Sequence, residues 1–552
     1  MFFIKKKLPR AHAPGEPLLH ENHKRPVTRR ELLGAGLASA PAVVMAPAWL
    51  AAFLKPNQAR AGLGNLSADM NALAASDQCA LARTANPVPV ICFDLAGGAN
   101  LVGSEVIVGT KGGQANFLTT AGYGKMGVPG NMVPSGAGFV DSSFGLLWHS
   151  DGAILRGMKT KATSAATAAG TNGAVICAMS QNDTGQNPHN PMYGIAMAGA
   201  RGTLLNLVGN VSSVSGGNSA SPMYMINPLY QPTTISVPSD DVALVSTGGA
   251  AADPVSIAVM ESQARISGGT GLYAGPKSGD EAAFSGMLAA PNGGQAGVTL
   301  YSTAAADADL KAQVRCQYVQ SVYTAAQFGD PSVLDPTKDP LITGSGGATP
   351  IFTSADFTDS DVQKTASVMK LVVNGFAAAG TITMSGFDYH DSTRATGETR
   401  NFKAGQMIGA VLEYAQRKGV PLMVYVFSDG SLTSSSMVDT SAAGRDKLAW
   451  QGDNQQVAST FFLVYSPKGR PSPLNGAASQ QIGWFTPDGS VDSTSSPAAN
   501  SVTQIPEAML LNYMSLAGIA GANFSNFTTT FPGQGLGSVA ALTGMTAFGP
   551  IV

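Results

Sequence analysis

The sequence predicts an α/β protein with a mostly parallel sheet, and three observations carry that expectation. Apolar runs such as Val88–Asp94 and Val420–Phe427 are continuous rather than alternating, as in strands covered on both faces. Strand, helix and strand follow one another within about 50 residues from Gly380 to Phe427, the pattern of a right-handed crossover unit. The runs end in turns that carry Asp and Gly, where open α/β sheets bind their ligands.

Taken from the N-terminus, the chain opens on an export signal. Arg29-Arg30 precede Leu32-Leu33, an uncharged stretch rich in Ala, Gly and Leu runs from Leu32 to Leu54, and Ala59-Arg60-Ala61 offers an Ala-x-Ala cleavage site. Paired arginines ahead of Leu-Leu point to the twin-arginine route. That implies the twin-arginine translocase as partner during export and a periplasmic or secreted location. The stretch has the ~20 residues needed to span a bilayer, but Gly34, Gly36, Pro41 and Pro47 make it a poor membrane helix. Residues 1–61 are therefore expected to be a signal peptide, and 62–552 a single domain.

Charged residues make up only 12%, with abundant Gly and Ala, which suits a folded, weakly charged protein rather than a disordered one. Residues 1–61 hold ten of the 33 basic and three of the 35 acidic residues, so the remainder has 23 against 32, or −9. With that balance and no basic run after Arg60, nucleic-acid binding is not expected. No later segment reaches ~20 uninterrupted apolar residues, so no transmembrane span is expected in the mature chain. Cys79, Cys92, Cys177 and Cys316 show no CxxC spacing, which argues against a structural zinc site. Cys92 and Cys177 lie in apolar runs and read as buried thiols.

Val88–Asp94 is the first strand and enters the turn Leu95-Ala96-Gly97-Gly98-Ala99-Asn100. A second strand covers Gly173–Met179, followed by a polar loop to Asn190 and a helix near Met192–Gly199. Residues from about 208 to 300 show no clean period and read as an irregular cap or insertion, with short strands within 234–247. Helices are expected over 302–327 and 354–379. A strand over Gly380–Phe387 leads to Asp388-Tyr389-His390. A helix over about 402–417 stops at Gly419, and a strand over Val420–Phe427 closes at Ser428-Asp429-Gly430. A further strand at 459–465 and a helix at 506–517 complete the domain.

Three carboxylates, Asp94, Asp388 and Asp429, thus fall at the C-terminal ends of three predicted parallel strands. His390 lies two residues after Asp388, on the same side of an extended chain. Carboxylates with an imidazole suit a divalent cation such as zinc, manganese or calcium, which can activate a nucleophile and hold phosphoryl oxygens. A lone Asp at a strand end equally serves to cap a loop. His189 is a further candidate ligand or a loop histidine with a structural hydrogen bond. His149, after Trp148, suits packing or capping. Ser104 is a nucleophile by residue type alone.

These features, in order, resemble a family of twin-arginine-exported bacterial proteins of unknown function within the alkaline phosphatase and sulfatase superfamily. The resemblance rests on Arg29-Arg30, the strand into Gly97-Gly98, Phe144 to His149, Val175 to Met179 and Asn187-Pro188-His189. It continues through Leu371 to His390, Val424 to Gly430, Gly444-Arg445-Asp446, Ile482-Gly483, Asp488-Gly489 and Pro506 to Gly518. It implies a doubly wound, alkaline-phosphatase-like core and a metal-centred pocket holding Asp94, Asp388, His390, Asp429 and His189. The implied activity is metal-dependent hydrolysis of phosphate or sulfate esters.

This chain departs from the family pattern. After the Gly-Gly turn the family has Pro-Ser-His-Leu-Asp, whereas this chain has Ala99-Asn100-Leu101-Val102-Gly103. The family's Gly-Arg-Asp-His is Gly444-Arg445-Asp446-Lys447 here, and a protonated lysine binds no metal. These replacements describe a degenerate site. The alternative is a non-catalytic envelope or secreted binding or assembly protein that retains the fold.

Overall fold

Apolar runs with no polar face can only be buried from both sides, and the computed structural model places them in the middle of one sheet. It describes residues 88–135, 138–178, 187–245, 330–344, 347, 349–454, 457, 459–497 and 502–552. The predicted signal, Cys79, Cys316 and the expected helix at 302–327 lie outside these residues.

Eight strands form the sheet: β1 (Val90–Ala96), β2 (Thr171–Cys177), β3 (Leu205–Gly209), β4 (Thr233–Thr234), β5 (Ala377–Ser385), β6 (Leu422–Ser428), β7 (Ser459–Tyr465) and β8 (Gln481–Ile482). Their order is β8-β2-β7-β6-β1-β5-β3-β4. Only β7 runs antiparallel to its neighbours, β2 and β6. β1 lies between β6 and β5, parallel to both. The strand that carries Asp94 near its end and the two that lead to Asp388 and Asp429 are therefore adjacent and point the same way.

The helices used below are α1 (Ala153–Lys161), α2 (Met192–Met197), α3 (Pro238–Ala243), α4 (Ser360–Val373), α5 (Ala395–Lys418) and α6 (Gln504–Leu516). Alternation along β1 sends Ile91, Phe93 and Leu95 to a core shared with α1, α4 and α5. Val90 and Cys92 go to the opposite core, shared with α2 and α6. Helices thus cover both faces, the layered solution a two-sided apolar sheet requires. All described residues fall in one compact unit, Val44–Val552.

Two expectations need correction. The helix predicted over 354–379 ends at Val373, and Ala377–Ala379 open β5 instead. Alanine favours helix, but here the left-handed Gly375 (φ +72°) ends the helix and burial between β1 and β3 decides the rest. The irregular insertion expected from 208 begins inside the sheet, because β3 runs to Gly209 and β4 follows it as the edge strand. Within 234–247, where short strands were expected, helix α3 forms, with Pro238 at its first position. Residues 246–300 of that insertion lie outside the described residues. Among the described residues, no helix is long and apolar enough to cross a membrane.

Candidate functional site

The turn after β1 sets the site. Ser428, the last residue of β6, accepts from Ala99 N–H at 2.9 Å through its Oγ, which donates to Leu95 O at 2.8 Å. The Asp429 N–H donates to Gly97 O at 3.1 Å. Gly97 (φ +124°) lies so close to the next strand end that a Cβ there would sit 2.3 Å from Asp388 N. A Cβ on Gly98 would sit 3.5 Å from Asp453 Oδ1. The Gly97-Gly98 turn therefore brings together two acids from distant parts of the chain, and glycine is required at Gly97 for both reasons.

Over this turn stand Asp388, His390 and Asp453. His390 Nε2 lies 2.6 Å from Asp388 Oδ1 and 3.9 Å from Asp453 Oδ1. One ligand atom from each of the three lies within 4.8 Å of the others, so the group could hold a metal ion. The three side chains are 51%, 39% and 36% exposed, which leaves the far side open to water. Two carboxylates and an imidazole form a donor set that fits zinc or manganese. Asp453 escaped the sequence reading because its strand, Lys447–Asp453, pairs in a ribbon with Leu432–Asp439 outside the main sheet.

Asp94 and Asp429 form a second, sealed group. Both are buried. Asp94 Oδ2 accepts from the backbone N–H of Asn218 at 2.7 Å and of Ser219 at 2.9 Å. The Ser219 hydroxyl lies between the acids, 3.2 Å from Asp94 Oδ1 and in a short contact with Asp429 Oδ1. The Asn218 amide donates to Asp429 Oδ2 at 2.5 Å. The loop reaches this deep because Gly217 has no side chain: a Cβ there would sit 2.8 Å from Asp94 Oδ2. Burial first, then the Asp429 charge, pushes the Asp94 carboxyl up to about 7. Loop 215–219 was read as irregular, and nothing in its spacing marked Ser219.

The structure therefore divides the predicted ligand set. Among the described residues, Asp388 and His390 group with Asp453, whereas Asp94 and Asp429 group with Ser219 and Asn218. His189 lies beside Phe427, the residue before Ser428 at the end of β6. It is buried, its ring is stacked 6.4 Å from that of Phe427, and burial pulls its pKa down to about 4. Nearby, Asn187 donates to the Asp429 carbonyl at 2.5 Å, so this motif walls the sealed pair.

The other singled-out residues are structural. Asp151 N–H donates to His149 Nδ1 at 3.2 Å, which leaves the proton on Nε2 to bond Met132 O at 3.0 Å. Ser104 Oγ accepts from Arg394 at 2.8 Å, deep in the protein. Lys447 is buried and donates to Glu398 at 2.7 Å, in a network that also holds Arg394 and Arg156. It is an ion-pair partner remote in role from the strand-end acids. Cys92 and Cys177 are free, buried thiols whose pKa burial raises.

No protein-family model, curated protein or solved structure matches this chain.

Proposed function

We propose that the protein is an exported α/β protein of the alkaline phosphatase and sulfatase type whose metal centre is reduced to a single divalent-cation site on the sheet's C-terminal rim. Asp388, His390 and Asp453 would hold the ion. The observation that carries this reading is the division of the strand-end acids. A centre using all of them needs Asp94 and Asp429 open, yet both are saturated by Asn218 and Ser219. Export rests on the Arg29-Arg30 signal. This favours a binding or assembly role for the fold over hydrolysis of the two-metal kind.

One observation supports a second reading, a metal-dependent hydrolase of phosphate or sulfate esters. The three rim ligands leave an open side, as catalytic zinc sites with three protein ligands do. A bound divalent cation there would supply Lewis-acid polarisation and a more acidic water. The chain's own part would be orientation: Asp388 lies against His390, while the Gly97-Gly98 turn keeps bulk away from Asp388 and Asp453.

Elemental analysis of the mature protein, purified without chelator, tests the site. About one equivalent of zinc, manganese or calcium is expected in the wild type, and much less in Asp388→Ala, His390→Ala and Asp453→Ala. Wild-type metal content in all three variants would sink the site. If metal is present, turnover of phosphate or sulfate monoesters decides for the hydrolase, and its absence for the binding protein.

A further inference from the structure

Helix α3 docks on α4 and on the turn Pro331–Leu334. Its Asp241 is fully buried, and neither carboxylate oxygen has a hydrogen-bond donor. The facing hydroxyl of Ser367 on α4 is also buried and lies outside hydrogen-bond geometry, though near enough to favour the charged acid. Among the described residues, charged groups that act on Asp241 include Asp240 on α3 itself, Asp335 just after the Pro331–Leu334 turn, and Lys370 on α4. Asp240 caps its own helix by accepting from the N–H groups of Ser236 and Val237. Asp335 lies 3.8 Å from Lys338. Lys370 is engaged by Asp339 at 2.6 Å, through an oxygen that also accepts from Tyr414. Lys370 thus already has its anion. An ionised carboxylate sealed in this way is costly, and a group so placed takes up a proton.

Helix α3 is also tied to the loop that seals Asp94 and Asp429. Ser236, two residues before α3, donates to Asn210 O at 3.1 Å, and Ile235 N–H donates to Gly209 O at 2.8 Å. The Asn210 side chain bonds the Thr383 backbone in both directions, at 2.5 and 3.1 Å. Pro232 packs on Gly216, where a Cβ would sit 2.8 Å from the proline ring.

We infer that Asp241 is a proton-operated latch. Neutral, it keeps α3 seated on α4. Loss of its proton unseats α3 and loosens loop 210–219 over Asp94 and Asp429. The latch stands on the α3–α4 junction, and only its effect on the loop rests on the sealed-pair reading given above. Burial is the main influence pushing this carboxyl well above its ordinary value, with Asp240 and Asp335 adding to it. Because the seated value lies above the unseated one, seating is fully favoured below the ordinary carboxyl pKa of ~3.9. It is lost as pH rises through the seated value.

Hydrogen exchange on the full mature chain, corrected for the intrinsic pH dependence of exchange, tests this across acidic to alkaline pH. Protection of residues 232–243 and 210–219 should fall at least ~10-fold in the wild type as pH rises. Asp241→Asn should hold it level, and Ser367→Ala should move the fall to higher pH, since that hydroxyl favours the charged form. Wild-type protection that is flat with pH, or an equal fall in Asp241→Asn, overturns the latch. Should Asp241→Asn fail to fold, the wild type and Ser367→Ala still decide. A fall confined to 232–243 overturns the link to the loop while leaving metal binding at the rim unaffected. Protection restored at alkaline pH by calcium or sodium alone would overturn the latch in favour of a cation site.

Discussion

Two pairs of acids stand at the rim where three adjacent strands end, Asp453 reaching it from the neighbouring ribbon, and they have opposite surroundings. Asp388 and Asp453 lie exposed around His390. Asp94 and Asp429 lie beneath loop 215–219, their oxygens taken by two backbone N–H groups, a hydroxyl and an amide. The same residue type at the same end of the same sheet can thus be ligand-ready or an internal brace. What separates the two is whether a glycine-bearing loop can descend onto them.

The comparison can be sharpened first at Lys447, which the family resemblance places at a lost ligand position. If it is instead one arm of a buried ionic network, Glu398→Met should cost about 3–5 kcal/mol by leaving Lys447 and the buried Arg394 without the carboxylate they share. Lys447→His should add no metal. Denaturant unfolding and elemental analysis check both, and an extra equivalent of metal in Lys447→His would undo the assignment.

The sealed pair should reveal itself through pH. The Asp94 carboxyl is raised to about 7 in the folded protein, above its unfolded value, so its contribution is fully present below the unfolded pKa and is lost as pH rises through about 7. Stability from this group should fall by at most about 4 kcal/mol between pH 4 and 8. Asp94→Asn should flatten that part of the profile. A wild type that gains stability over this range relative to the variant would contradict the sealed, proton-holding pair.

The open triad should respond to ligand removal instead. Asp388→Ala or His390→Ala should weaken cation affinity by at least the ~10–100-fold that outer-shell changes cost at metal sites, with little change in unfolding midpoint, because these side chains are solvated. Calorimetric titration with zinc or manganese reads the affinity. A large loss of stability with unchanged affinity would reverse the roles assigned to the two groups.

The smallest expected effect is at Ser219. Ser219→Ala removes the hydroxyl between the two acids and should cost about 1–3 kcal/mol without altering rim metal content. A gain of metal in this variant would show that the sealed pair becomes a ligand set once the plug is weakened.

Much of the frame was legible beforehand. Val88–Asp94, Val420–Phe427 and the Gly380–Phe427 crossover were visible because uninterrupted apolar runs have few places to go other than the middle of a two-sided sheet. Asp94, Asp388 and Asp429 were recognisable as strand-end acids for the same reason. Asp453 and Ser219 were not, since one sits on a ribbon outside the sheet and the other in a loop with no period. Ala377–Ala379 read as helix because propensity is local, while the burial that made them strand is not.

The sequence by itself determined the layered α/β architecture, the polarity of the central strands and the acids at their ends, because hydrophobic period and turn residues are local properties. Only the tertiary structure decided which acids share a site. Three-dimensional closure brings Asp453 to His390 and Ser219 to Asp94 across long stretches of chain, sealing one pair and leaving the other exposed. That choice depends on what the distant loop places over each carboxylate, since burial and hydrogen-bond donors set whether an acid holds a proton, a partner or an ion.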